Sequence, residues 1–201
     1  MPLSTVLAGL LTGLALIAAV GAQNAFLLRQ GLRREHVAPL VALCALSDIV
    51  LIAAAVLGVG AMAQTWPAFM TVARFGGAAF VIGYGLLAAW RALRPQESLV
   101  ASGVAARGLG RSLATMAALT WLNPHLYLDM VVLGSIATSH GPDRWWYYLG
   151  LCVASVSWFS ALGFGSARLQ PFFARPRSWQ LLDAAIAVVM VTIGVGLVVG
   201  G

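Results

Sequence analysis

Apolar residues dominate the chain in long runs, which short polar links interrupt. Each run is close to the about 20 residues of helix that cross a hydrocarbon core about 30 Å thick. The runs predict six membrane-spanning helices, with approximate limits 3–28, 37–62, 69–92, 113–138, 145–167 and 181–201. No basic segment precedes the first run, and the run is long for the apolar region of a cleaved signal, so we expect a retained helix.

Composition supports this interpretation and excludes most soluble classes. Hydrophobic residues make up 61% of the 201 positions and charged residues only 9%, whereas a soluble domain has about a quarter of its residues charged. The net charge is +6, but the arginines occur singly or in pairs rather than in the solvated patch that nucleic-acid binding needs. We therefore expect an all-α integral membrane protein, with 1–201 forming a single transmembrane domain and no nucleic-acid partner.

The arginines also predict the orientation, because basic residues concentrate in cytoplasmic links. The links after the first, third and fifth spans contain Arg29, Arg33, Arg34, Arg91, Arg94, Arg107, Arg111, Arg168, Arg175 and Arg177. The opposite side has Arg144, with Arg74 near the start of the third span. We expect a cytoplasmic loop at 94–111, periplasmic termini, and an outer aromatic belt that includes Trp66 and Trp145.

The two halves of the chain, approximately 1–95 and 108–201, resemble each other weakly. Segment 43–47 recurs as 151–155, segment 81–87 recurs as 192–198, and Asn24 has its counterpart in Asn123. Each half holds three spans, so the second half would be inserted upside down relative to the first. Such inverted repeats are typical of transporters, whose site lies where the repeats meet. Chance similarity between two apolar, Gly-rich stretches is the alternative.

Ionisable residues inside a membrane are costly, so they indicate function by default. Asp48 lies about 11 residues into the second span, about 17 Å along it and close to the midplane. A structural pair with Arg74, or a polar tie between helices, is the alternative role for Asp48. His125 and Asp129 are spaced i,i+4 on one helix face and could share a proton or a cation, unless Asp129 is simply solvated at the outer interface. Asp183 lies near a span end, where a polar side chain can reach the interface.

Asn123-Pro124 interrupts the fourth span. Proline removes one backbone donor and frees carbonyls near residues 120 and 121, which is tolerated at membrane depth only inside protein or beside water. The half-helix that starts at Pro124 would direct its positive end at an anionic group. Segment 21–24, which contains Gln23 and Asn24, offers a similar break in the first span. A plain proline kink is the alternative in the fourth span.

Three segments together resemble a known family: 21–26 followed by Gln30-Gly31, 46–52, and the run 120–129, which reads Thr-Trp-Leu-Asn-Pro-His-Leu-Tyr-Leu-Asp. They are similar to the lysine exporter (LysE) family, and most of all to its arginine exporter branch. The resemblance extends over about 7–200, although Ala22 stands where the family usually has proline. It implies a bacterial inner-membrane exporter of basic amino acids, driven by the proton gradient or the membrane potential.

The residues and the resemblance together predict a site without metal or cofactor. We expect the substrate to contact Gln23, Asn24, Asp48, Asn123, Pro124, Tyr127 and Asp129. Proton coupling is expected from Asp48, Asp129 and His125. The expected partners are a basic amino acid (arginine, or lysine and canavanine), protons and the bilayer. The sequence leaves open whether the protein forms a homo-oligomer. The two cysteines lack metal-type spacing.

Two other classes compete with transport. Segment 163–167 resembles the Gly-x-Ser core of an intramembrane serine protease, but Ser166 and His125 lie at different depths. An aspartyl dyad of Asp48 and Asp129 lacks the Gly-x-Gly-Asp sequence around either residue. A non-transporting membrane scaffold would also use polar contacts between helices.

Overall fold

A computed structural model describes residues 2–18, 21–58, 67–93, 108–174 and 176–199. Within these ranges the chain is almost entirely helical and contains no strand, which confirms the predicted all-α class. The helices are α1 Pro2–Ile17, α2 Ala22–Arg33, α3 Val37–Val56, α4 Pro67–Leu93, α5 Leu109–Trp121, α6 Pro124–Ser139, α7 Arg144–Gly165 and α8 Pro176–Val199. Short 3-10 helices, Gly141–Asp143 and Ser166–Ala174, flank α7.

Three helical stretches in the described ranges, 37–56, 141–169 and 177–199, are long and apolar enough to cross a membrane unaided. Helices α1 and α2 together form a fourth candidate, with 83° between their axes. The other two predicted spans correspond to α4 and to the α5–α6 pair. Among the residues whose side chains are described, their apolar helical stretches are 78–93 and 129–139.

Both predicted breaks are present. Helix α1 ends at Ile17, and α2 begins after Gly21, whose extended backbone (φ −125°, ψ 174°) ends the preceding turn. Helix α5 ends at Trp121, and Pro124 opens α6 at the position where a missing N–H costs nothing. The first and fourth spans are therefore pairs of half-helices.

Small residues allow α1 and α7 to meet backbone to backbone. A Cβ added at Gly9 would collide with the carbonyl oxygen of Tyr147, and one added at Gly150 would collide with that of Val6. At Gly13 the added Cβ would lie 2.7 Å from the Cβ of Ala154. Close packing of this kind replaces the hydrophobic effect as the source of helix association in lipid.

Helix α4 packs mainly against α8, and α3 packs against α7, α5 and α6. Two buried apolar clusters fill the interior. One joins α2, α3, α4, α5, α7 and α8 and includes Phe26, Tyr84 and Met190. The other joins the ends of α3, α6 and α7 that lie beyond the breaks and includes Leu51 and Leu133. The two half-helix breaks lie between these clusters.

Some predictions concern parts of the chain outside this description. Residue Trp66 and the loop segment 94–107 lie outside the described residues. The side chains of Arg74, Pro124 and His125 also lie outside the described part, so the Asp48–Arg74 pair and the role of His125 stay predictions.

Candidate functional site

The two breaks meet at one cavity of about 420 Å³. The start of α2 contributes Gly21, Ala22, Gln23 and Asn24 to its wall, and the break between α5 and α6 contributes Thr120, Asn123 and Leu126. Its remaining lining is mostly aliphatic, from α1, α3, α6 and α7. Segments separated by about a hundred residues of sequence thus form a single site.

Two helix N-termini border this cavity. The first backbone N–H groups of any helix have no partner within the helix, and the aligned peptides give that end a partial positive charge. Helix α2 begins at Ala22, which lines the cavity, and α6 begins directly after Asn123, which also lines it. The starts of both half-helices would therefore attract an anionic group.

Two carboxylates face the same space. Asp48, which is 8% exposed, lines the cavity, and its Oδ2 accepts a hydrogen bond of 2.8 Å from the Ser155 hydroxyl. Asp129 lines it from α6 and is half-buried. The structure thus brings together both acidic residues that the sequence singled out, and it places them beside the positive helix ends.

The polar residues next to the breaks also hold the breaks open. The Asn24 side-chain amide donates to the carbonyl of Ile17 at 2.8 Å, and the Trp158 indole donates to Asn24 at 3.3 Å. Across the second break, the Tyr127 hydroxyl donates to the carbonyl of Trp121 at 2.8 Å. Each final carbonyl thus finds a partner beyond its break, as buried backbone in a membrane must.

These contacts refine the predicted roles. Asn24 both lines the cavity and fixes the end of α1, whereas Tyr127 is placed at the break and not on the cavity wall. Gln23, Asn123 and Asp129 line the cavity as expected of ligands. Trp121, which was not singled out, donates from its indole to the Ser47 hydroxyl at 3.2 Å and ties α5 to α3.

Residues 14–201 match the family described as LysE type translocator. The chain belongs to the LysE family.

Relatives within the family extend over nearly the whole chain. A Mycobacterium bovis protein and a Mycobacterium tuberculosis protein, both named "putative amino-acid transporter", are 52% identical to it over 90% of this chain and 89% of their own. The arginine exporter protein ArgO of Yersinia enterocolitica is 40% identical over 94% of this chain and 93% of its own. No solved structure matches the chain significantly.

Membership of the LysE family favours transport over the two enzyme alternatives, and the geometry agrees. The Ser166 hydroxyl donates to the carbonyl of Gly163 in its own turn. Asp48 is hydrogen-bonded to a serine of α7. The Ser166 contact lies within one turn and the Asp48 contact joins α3 to α7.

Asp183, to which the sequence analysis assigned no function because its side chain could reach the interface, is placed differently. Asp183 does not reach an interface: it is 0% exposed and forms an ion pair with Arg29 of α2. The Nη2 of Arg91, from α4, lies 3.4 Å from the same carboxylate oxygen. The sequence does place one acidic residue at the same expected depth as two arginines of other spans. An interpretation that takes each span by itself could not pair these residues.

Proposed function

We propose that this LysE-family protein is a secondary active exporter of basic amino acids in a bacterial inner membrane, exchanging its substrate for protons. One observation carries the proposal: two helix N-termini and two carboxylates line the same cavity. The name of the relative from Yersinia enterocolitica, an arginine exporter, supports the same substrate class.

A basic amino acid matches this distribution of charge. Its carboxylate complements a helix N-terminus, an attraction of about 0.3–1 kcal/mol and up to about 2 kcal/mol when partly buried. Its ammonium and side-chain cation complement Asp48 and Asp129, and its methylene groups complement the aliphatic wall. A cavity of about 420 Å³ also falls in the size range of sites for small ligands.

The positions of the two carboxylates suggest different roles. Asp129 lies on α6 beyond Asn123, so a substrate whose carboxylate meets the start of α6 can place its side-chain cation near Asp129. Asp48 is more deeply buried and already bonded by Ser155. Asp48 then carries the exchanged proton, and His125, spaced i,i+4 from Asp129 in the sequence, is a further candidate.

The membrane potential favours proton exchange over uniport. Moving one positive charge outward against an inside-negative potential costs about 2.3 kcal/mol per 100 mV. Uniport of a cationic amino acid would therefore run uphill. Exchange for at least one proton cancels this electrical cost.

We propose that the two halves form an inverted repeat, the arrangement that such a transport mechanism uses. Equivalent spans of the halves pack against each other, α3 against α7 and α4 against α8, and the two broken spans share the cavity. With the arginines concentrated in the first, third and fifth links, we propose that loop 94–111 is cytoplasmic and both termini periplasmic.

The test is transport by purified protein in proteoliposomes. Asp48→Asn keeps the size of the side chain and its ability to accept from Ser155, but removes its titration. We expect proton-driven export of labelled arginine to vanish while arginine–arginine exchange persists. The matched control is Asp143→Asn, which removes a carboxylate that lies at the start of α7 and does not line the cavity.

Two results would contradict the proposal. Normal proton-driven export by Asp48→Asn would remove the coupling role of this residue. Absence of any arginine counterflow in the unaltered protein would favour the scaffold alternative.

A further inference from the structure

A buried ion-pair cluster links three helices on one side of the cavity. Asp183 of α8 pairs with Arg29 of α2, and Arg91 of α4 approaches the same carboxylate oxygen at 3.4 Å. The two arginine side chains are 10% and 13% exposed, and that of Asp183 is 0% exposed. All three residues lie toward the face where α2 and α4 end and α8 begins.

The cavity does not reach this cluster. Helix α2 lines the cavity only up to Asn24, and Arg29 lies five residues further on, about 7 Å along the helix axis. On α3 and α6 the lining continues in the other direction, to Ile52 and Leu133. The cavity therefore extends away from the face that holds the cluster.

An apolar layer separates the cavity from the ion pairs. The rings of Phe26 and Tyr84 meet edge to face with centroids 6.0 Å apart, and Ala25 and Leu27 are buried beside Phe26. The Arg91 guanidinium lies 5.5 Å above the centroid of the Tyr84 ring. An aromatic layer and then an ionic layer thus close this end of the site.

We propose that Arg29, Asp183 and Arg91 form a gate, which must separate for the cavity to open toward the face where α2 ends. The proposal rests on the transport function proposed above. A substrate can reach the cavity from that face only when α2 and α4 move apart from α8, and the cluster joins these three helices. Asp183 is then a positioning residue of transport that touches no substrate in the closed state.

The use of charges at this interface fits a gate better than a permanent contact. A buried ion pair is often no more stabilising than well-packed apolar residues of the same size, so packing alone does not call for it. Once separated, however, arginine and aspartate side chains are well hydrated, whereas an apolar seam would expose hydrocarbon surface to water. Charged residues therefore suit an interface that excludes water in the closed state and is exposed to water in the open state.

The test measures access rather than transport. In a chain with both native cysteines replaced by alanine, Ala25→Cys places a thiol in the apolar layer, and Arg34→Cys marks the face where α2 ends. An impermeant thiol reagent is added to sealed vesicles at the face where Arg34→Cys reacts. With Asp183→Asn we expect the thiol at position 25 to react about tenfold faster, because loss of an electrostatic contact raises the open population.

Matched variants separate gating from general loosening. Glu35→Gln also removes a carboxylate from an ion pair, with Arg33 at 3.2 Å near the end of α2, and should leave the rate unchanged. Asp183→Glu keeps the charge and should keep the slow rate. Ala137→Cys, buried in the other apolar cluster, should stay slow when Asp183→Asn is introduced. Arg91→Gln, a milder change, should give an intermediate rate if Asp183→Asn fails to fold.

Equal reaction rates at position 25 with and without Asp183→Asn or Arg91→Gln would overturn the gate. So would an equal acceleration at positions 25 and 137, because that result indicates a purely structural contact. Neither outcome depends on the substrate, so the gate and the export function can fail independently.

Discussion

The site at the second break predicts a specific difference between two ligands. Arginine and agmatine share a guanidinium, but agmatine lacks the carboxylate. Asn123 stands directly before α6, lines the cavity, and its carbonyl accepts from the Leu126 N–H at 3.1 Å. Asn123→Ala leaves that backbone bond in place and removes the side-chain amide, which can donate to a substrate carboxylate.

The magnitude follows from the contact that is lost. A hydrogen bond to a charged group contributes about 1.5–3 kcal/mol, which corresponds to roughly 10–150-fold in affinity. We therefore expect Asn123→Ala to weaken arginine and lysine by about this factor and agmatine much less. The substrate carboxylate is common to the first two ligands and absent from the third.

Asp129→Asn provides the complementary measurement. Its carboxylate lines the cavity on α6, and we assign it to the side-chain cation, which arginine and agmatine both have. The variant should weaken both ligands, whereas Asn123→Ala should weaken arginine selectively.

Calorimetry of arginine and agmatine binding to the protein purified in detergent tests the Asn123→Ala and Asp129→Asn predictions. The unaltered chain and Asp143→Asn are the references. An equal loss for both ligands in Asn123→Ala would refute the assignment of the carboxylate to the start of α6.

Three further predictions concern the break, the packing and the orientation. Pro124→Ala restores a backbone donor, so we expect the break to close and arginine affinity to fall in the same binding assay; unchanged transport would indicate a simple kink. Gly150→Ala should destabilise the fold by about 1–3 kcal/mol through overpacking against α1, seen as a lower melting temperature. Its control Gly83→Ala has open space around the added Cβ and should melt at the same temperature or higher. Ser102→Cys should resist an impermeant reagent in intact cells, and labelling from outside would reverse the proposed topology.

Much of the site could be predicted because membranes penalise polar groups strongly. Asp48 and the Asn123-Pro124 interruption stood out because apolar residues surround both in the sequence. A buried carboxylate and an interrupted helix both need a protein interior or a water-filled cavity, so a shared cavity was expected. That argument does not predict which side chains contact these residues, however. Ser155 lies 107 residues from Asp48 in sequence, and only the packing of α3 against α7 brings them together.

The remaining differences have the same origin. Asn24 and Tyr127 are predicted ligands, and each also forms a hydrogen bond with a carbonyl at a break that sequence position did not predict. Asp183 looked solvated because it is close to a span end, but two arginines from α2 and α4 surround it. Sequence position predicts depth in the bilayer, whereas burial depends on neighbouring helices.

The backbone contact between α1 and α7 has a consequence for biogenesis. Gly9 leaves the ribosome about 140 residues before Gly150, which is about 7–30 s at the usual rates of synthesis. During that interval the glycine face of α1 has only lipid or other early helices to pack against. The final position of the first helix in the membrane is therefore set late, when α7 is inserted, and a ribosome stalled before residue 144 would hold a chain whose first helix lacks its main neighbour.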